Sequence, residues 1–279
     1  VLIDVLTEQH FETAHIPGAV NACVYEIAFL ESIAKLAPSQ QTALVVYGLN
    51  DQFQAAAAAF EQLSNAGYSS VSVLQGGLEA WIHCGLPVQR TAGESVATTP
   101  ARRPLDTERS VIYWTGRNLV NHHTGKLAVT GGYLEASENG LTAAVVTTHF
   151  ETLECTDIPD QKMNKVLLDH LKAADFFLAS EFPEASFVLS DIEAIEGSTP
   201  GRPNCRVKGD LNLRGVSRNV EFEAVFDQGP EQWVVQASLE IDRTRWNSRY
   251  GSGRFFEALG KHLVNDYISL QIQLFAVQP

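Results

Sequence analysis

The sequence predicts two folds in tandem: an α/β domain built on a parallel sheet, then a mainly-β domain whose antiparallel strands close into a barrel carrying a lid helix. Three observations predict this. Short apolar runs alternate with helical stretches through the first third of the chain. A segment from Gln89 to Glu108, rich in small and turn residues, then shows no periodicity. From Arg109 onward the apolar residues recur at every second position. The 279 residues suit two domains, assigned here as 1–90 and 109–279 with a linker over 91–108 and a boundary near residue 95.

In chain order, Leu2 to Val5 is a short apolar strand of the kind buried in a parallel sheet. Glu8 to Thr13 is a helical turn, and His15 to Asn21 a turn followed by a strand. Glu26 to Leu36 has helical periodicity, and Ala43 to Tyr47 is a second apolar strand. The alanine-rich run Gln54 to Asn65 is a helix stopped by Gly67. Val71 to Leu74 is a strand, and Gln75-Gly-Gly-Leu-Glu-Ala-Trp81 opens the next helix.

In the second half, Leu167, Leu168 and Leu171 share one helical face, with Lys165, Asp169 and Lys172 opposite. Phe176, Phe177, Phe182 and Phe187 follow, and Pro183 stops any helix ahead of it. Cys205, Val207, Gly209, Leu211 and Leu213 alternate with Arg206, Lys208, Asp210, Asn212 and Arg214. The same period runs through Val220–Phe226, Val235–Ile241 and Ile268–Leu274. Strands with one dry face form a meander, and closing it hides the edges. At about eight strands the interior either fills with side chains or holds one small ligand.

Composition narrows the function classes. Hydrophobic residues make up 45% and charged residues 19%, as in a globular protein with a core. A net charge of −13, acidic on both sides of the linker, argues against nucleic acid and anionic membrane surfaces as partners. No stretch reaches the roughly 20 apolar residues that span a bilayer. Cys23, Cys84, Cys155 and Cys205 have no C-x-x-C spacing, so they read as buried free thiols rather than metal ligands. No secretory leader is evident, which suits the cytoplasm; the chain opens at Val1 inside a strand, which leaves the periplasm open.

The first domain resembles the rhodanese family. Leu2-Ile-Asp-Val, His15-Ile-Pro-Gly-Ala-Val-Asn, Val45-Val-Tyr and Leu74-Gln-Gly-Gly-Leu-Glu-Ala-Trp follow the family's landmarks in order over about 88 residues, with the usual first strand missing or upstream. The resemblance implies a thiolate nucleophile after the central strand, heading a loop whose N–H groups cradle the transferred sulfur. That position is Gly48, which has no side chain to carry a persulfide. The loop continues Leu49-Asn-Asp-Gln-Phe53, with Asp51 in the anion cradle and Phe53 where a basic residue is expected. The domain therefore reads as catalytically inactive, a docking or regulatory module for a protein partner. Cys23 and Cys84 lie away from the loop and read as core.

The second domain resembles the YceI-like family of lipocalin-like barrels. Tyr113-Trp-Thr-Gly-Arg117, His123-Thr-Gly125, Leu171-Lys-Ala-Ala-Asp-Phe-Phe177, Phe182-Pro-Glu-Ala-Ser-Phe187 and Val207-Lys-Gly-Asp-Leu-Asn-Leu-Arg-Gly-Val-Ser217 carry the resemblance. Asp242-Arg-Thr-Arg-Trp-Asn, Tyr250-Gly-Ser-Gly-Arg-Phe-Phe256 and Asp266-Tyr-Ile continue it. The resemblance implies a long-chain amphiphile as ligand, a polyisoprenoid, quinone or fatty-acid-like lipid, without catalysis and without a cofactor. Candidate walls and mouth are Trp114, Leu168, Leu171, Phe176, Phe177, Phe182, Phe187, Trp246, Tyr250, Phe255 and Phe256, with His123 a hydrogen-bonding candidate for a head group.

His122 and His123, adjacent in a strand, point to opposite faces and so do not grip one metal ion. Arg214 and Arg218 flank a glycine turn and are expected to face water. Arg243 beside Asp242 reads as structural, and pairing Asp242 with Asp266 as acid and base has only composition behind it. The expected function is carriage or sequestration of a lipid. The rivals are a sulfurtransferase and an interaction protein with a filled barrel.

Overall fold

A computed structural model describes residues 1–90 and 101–278. The chain forms two compact units, residues 1–95 and 96–279.

In the first unit, strands β1 (Leu2–Asp4), β2 (Val20–Asn21), β3 (Leu44–Tyr47) and β4 (Val71–Val73) make a parallel sheet in the order β2-β1-β3-β4. Helices α1 (Glu8–Thr13), α2 (Phe29–Leu36), α3 (Ala55–Asn65) and α4 (Gly77–His83) connect and follow them. Ile3, Val5, Val46, Phe29, Ile33 and Leu63 form the core between sheet and helices. Thr7 caps α1 by accepting from the His10 N–H. Asp4 is wholly buried; burial pushes its carboxyl upward, against the hydrogen bond it accepts from the Leu6 N–H at 2.9 Å. Burial likewise pushes the neighbouring Tyr47 phenol up, while its oxygen accepts from the Ile16 N–H at 3.1 Å.

The second unit is a closed barrel. Its strands are β5 (Ala101–Pro104), β6 (Val111–Arg117), β7 (His122–Ser137), β8 (Gly140–His149), β9 (Glu154–Cys155), β10 (Glu184–Ala194), β11 (Cys205–Leu213), β12 (Val216–Gln228), β13 (Gln232–Asp242) and β14 (Tyr267–Val277). Eight of them form the ring, β7-β6-β14-β13-β12-β11-β10-β8, which closes where β8 pairs back onto β7. β7 is long enough to need two partners on each edge. Along one edge it pairs with β6 and then β5; along the other, with β9 and then β8. Helix α5 (Gln161–Lys172) lies between β9 and β10.

Alternation along the strands matches the sequence pattern: Cys205, Val207 and Leu213 are buried in β11, and Val220, Ala224 and Phe226 in β12. These residues divide the interior. One half is solid, packed by Leu134, Ala144, Val207, Ala224, Trp233 and Leu274. The half toward α5 is walled by Phe150, Phe176, Phe177, Leu213, Ile241 and their neighbours.

Three expectations need correction. Ala101–Pro104, read as linker, is a strand paired with Tyr133–Ala136 of β7. It is a short edge segment ending in proline, so neither alternation nor length marks it. Cys84 is exposed, because α4 ends at His83 and turns it out of the core, whereas the other three thiols are buried. Arg214 does not simply face water: its guanidinium donates to the carbonyls of Ala174 and Asn247, tying the segment after α5 to the barrel rim.

Candidate functional site

A cavity of about 400 Å³ occupies the α5 half of the barrel, within the roughly 300–1,000 Å³ of small-molecule sites. Its floor is Ile112 and Val146, where the solid half begins. Inward positions of four strands, Leu127, Leu211, Ile241 and Leu270, form its walls with Phe150 and Phe187.

Two glycines make room for rings. A Cβ on Gly209 would lie 2.2 Å from the Phe187 ring, and one on Gly125 would lie 2.5 Å from the Trp114 indole. Trp114 Nε1 donates to the Glu154 carbonyl at 3.2 Å, so the indole's polar atom is satisfied at the wall.

The lid is α5 with the turns that follow it. Asp160 caps the helix through the Met163 N–H at 2.8 Å. Asn164 Nδ2 donates to the carbonyls of Cys155 (2.8 Å) and Ile158 (3.0 Å), fixing the helix to β9 and its exit. Leu167, His170 and Leu171 face the cavity, and no residue of α5 is fully buried. The His170 ring meets Tyr250 edge-on at 4.5 Å and Phe176 at 5.1 Å, joining lid to mouth. Phe177 stacks on Phe150 at 5.1 Å.

Arg243 organises the mouth from within. Its side chain is fully buried. Nε donates to the Asn265 carbonyl (3.0 Å), Nη1 to Ser248 (2.7 Å), and Nη2 to Tyr250 (2.8 Å) and Val264 (3.2 Å). Burial pushes this guanidinium's pKa down, and Asp266 and Asp242 oppose the shift. Both carboxylates in turn bind Arg254, Asp242 at 2.8 Å and Asp266 at 3.2 Å. Burial works against ionisation of Asp242, but the bonds from Thr244 and Arg254 outweigh it and hold the carboxyl below its usual range. The two acids are therefore braces of the mouth loop, not an acid–base couple.

Of the residues singled out from sequence, Trp114, His123, Leu171, Phe176, Phe177, Phe187 and Tyr250 line the cavity. The others lie off its wall. Leu168 packs against the aromatic cluster under the lid but lines a separate groove beside Ile158 and Asn164. Phe182 packs over Gly215, where a Cβ would come within 2.3 Å of its ring. Trp246 is fully buried behind the wall, its Nε1 bonded to the Leu211 carbonyl at 3.0 Å. Phe255 and Phe256 are about half exposed, at 47% and 49%. His123 Nδ1 meets Asp157 Oδ2 at 2.9 Å. Burial disfavours the Asp157 carboxylate, yet the bonds from the Thr124 N–H, His123 and Cys155 outweigh it and hold the pKa at about 2.

Sequence reading missed most of the aliphatic wall and the polar rim. Ile241, Ile268 and Leu270 were on the dry face of the alternation, but nothing local says which end of a strand faces a void. Asn118, Asn121, Lys261, His262 and Asn265 at the rim lie in segments without periodicity.

In the first unit, Gly48 follows β3, and its loop is bonded to the start of α4. Gly48 and Leu49 carbonyls accept from the Leu78 (3.0 Å) and Glu79 (2.9 Å) N–H groups. Asp51 Oδ1 accepts from the Gly76 N–H at 2.8 Å, and Asn50 Nδ2 donates to Glu79 at 2.8 Å. Gly77 is obligatory here: its φ is +56°, and a Cβ would sit 2.4 Å from the Gly48 carbonyl oxygen.

A closed eight-stranded antiparallel barrel, hollow at one end beneath a helix, places the second unit among lipocalin-like barrels. The YceI-like domain model matches residues 104–276, well over half of the chain, and the protein belongs to that family. Residues 1–84 match the rhodanese-like domain.

A UPF0312 protein of Pseudomonas putida (strain W619) is 35% identical over 65 residues, 23% of this chain and 31% of that protein. The chain thus spans less than a third of the curated relatives it matches. Among solved structures, Burkholderia cenocepacia BcnA is 20% identical with a TM-score of 0.48, covering 62% of this chain and 99% of that one. A polyisoprenoid binding domain from Saccharophagus degradans, implicated in plant cell wall breakdown, is 13% identical with a TM-score of 0.46, covering 65% and 100%.

Proposed function

We propose that the barrel binds a long-chain amphiphile, a polyisoprenoid, quinone or fatty-acid-like lipid, and carries or sequesters it. The observation that carries this reading is the apolar cavity beneath α5, walled mainly by aliphatic and aromatic side chains, with Asn118, Asn121, Lys261, His262 and Asn265 grouped at its rim. Removing apolar surface from water is worth about 25 cal/mol per Å². A chain that hides several hundred Å² therefore retains affinity after the entropic costs of binding. Mouth groups would orient the head while the tail fills the tube.

The rhodanese-like unit acts, in the same proposal, as a non-catalytic docking or regulatory module for a protein partner. Support comes from Gly48 at the nucleophile's position and from Asp51, whose carboxylate already accepts the Gly76 N–H.

Gently purified two-unit chain, extracted with organic solvent and examined by mass spectrometry, should release one lipid class in near-stoichiometric amount. Absence of any lipid, together with no uptake of added isoprenoid or fatty acid, would overturn the carrier reading. Thiosulfate–cyanide turnover abolished by Cys84→Ala would overturn the non-catalytic one.

A further inference from the structure

The side chains around the cavity are one-sided in their chemistry. Among the described residues none that lines it is Asp or Glu, in a chain with 33 acids against 20 Lys and Arg. Its ionisable groups other than Tyr250 are all basic.

The rim is one-sided at finer grain. Segments 117–121 and 261–265 are joined there: Asn265 N–H donates to the Arg117 carbonyl at 2.9 Å, and Asn118 bridges to Val264. Three asparagines sit on these segments, and each spends its side-chain oxygen on backbone. Asn118 Oδ1 accepts from the Val120 (2.9 Å) and Asn121 (2.7 Å) N–H groups. Asn121 Oδ1 accepts from His122 (2.9 Å), and Asn265 Oδ1 from Tyr267 (3.0 Å). What each has left is its NH₂ group, which makes no hydrogen bond among the described residues. Lys261 and His262 lie beside them, exposed, with no ion pair or side-chain hydrogen bond among the described residues. His123 has Nδ1 committed to Asp157 and Nε2 unused.

Taking the lipid-cavity reading as given, we infer that this rim selects an amphiphile with an anionic phosphate or carboxylate head over a neutral head on the same chain. Three spare amide NH₂ groups on the same rim as an ammonium suit a group with several acceptor oxygens and a negative charge. A hydroxyl or quinone carbonyl offers fewer acceptors and no charge. The excluded partner is equally defined: with no Asp or Glu among the described residues that line the cavity, a cationic head finds no carboxylate there to pair with.

The test compares geranylgeranyl phosphate with geranylgeraniol, which share one tail, by titration into the full chain stripped of lipid on a hydrophobic resin. Trp114 at the wall reports occupancy by fluorescence. The phosphate should bind at least about tenfold tighter, and the margin should shrink with added salt. Inorganic phosphate alone should leave Trp114 unchanged, which separates a lipid head group from a free-anion site.

Asn118→Asp and Asn265→Asp keep the backbone-accepting oxygen while replacing the donor with a carboxylate. Each should lower the phosphate-to-alcohol affinity ratio, as should Lys261→Met. Equal affinities for the two ligands, or a ratio untouched by all three variants, would overturn the inference while leaving the lipid cavity standing. If neither ligand binds, both readings fall.

Discussion

Arg243→Met tests the claim that one buried guanidinium holds the barrel mouth. Methionine keeps much of the apolar stem but none of the donors. It would leave the carbonyls of Ser248, Tyr250, Val264 and Asn265 without the partner each has now, at 2.7–3.2 Å. Asp266 would also lose the charge 3.8 Å away, keeping only Arg254.

Breaking a buried, hydrogen-bonded charge typically costs about 3–5 kcal/mol. In a unit of this size each kcal/mol lowers Tm by about 2–4 °C, so the expected fall is roughly 6–20 °C. Thermal unfolding of the full chain should be followed by near-ultraviolet circular dichroism and tryptophan fluorescence. The buried Trp246 lies three residues along the chain and senses the mouth directly. Arg243→Lys should recover little, because a single ammonium cannot reach carbonyls spread across the fork of a guanidinium. A drop of less than about 2 °C in the methionine variant would refute the reasoning, since that corresponds to 1 kcal/mol or less.

Three further outcomes follow from particular contacts. Gly209→Ala should cost about 1–3 kcal/mol as an overpacked site, because its Cβ would meet the Phe187 ring at 2.2 Å. Lipid affinity should fall with it as the ring is pushed into the bore, and Phe187→Leu in the same chain should restore part of both; unchanged melting and affinity would refute the packing. Asp157→Asn should lower stability at neutral pH. Because the folded pKa of Asp157 lies at about 2, below its unfolded value, its contribution is present above the unfolded value and is lost as pH falls through about 2. The Tm difference between the two proteins should therefore shrink over that acid window, and a constant difference would count against the paired carboxylate. Gly48→Cys should fold normally, its Cβ in ordinary contact with Ala55 at 3.4 Å and Ala56 N at 3.6 Å. Iodoacetamide should alkylate it faster at neutral pH than Cys84, since the thiol would face the N-terminus of α3; equal rates would show that the loop no longer activates a thiol.

The first domain was legible almost element by element, because its central strand β3 is an uninterrupted apolar run and α3 has its own stop, Gly67 just past its end. The barrel strands were legible wherever alternation survived, as in Cys205–Leu213. Legibility failed at Ala101–Pro104, where a strand belongs to the sheet through backbone pairing alone. It failed differently at the site. The resemblance marks Trp246 and Phe187 as candidate wall aromatics, but does not say that Phe187 borders a void while Trp246 is embedded behind it. That distinction depends on neighbours far along the chain, such as Gly209 opposite Phe187 and Leu211 above Trp246. The rim asparagines were invisible for a similar reason. Their meaning lies in which of their two polar atoms the backbone has already taken.

The ring closure between β7 and β8 constrains traffic as well as shape. A strand in an open sheet can peel from one side; here every ring strand is laced to a neighbour on both sides. No ring strand leaves the wall without breaking two ladders together, and the far end is plugged by packed side chains. Exit is left to the helical cover, which is clasped by Asn164 at its start and by Arg214 just past its end. Dwell time for any guest then becomes a property of those two clasps, adjustable without altering the tube itself.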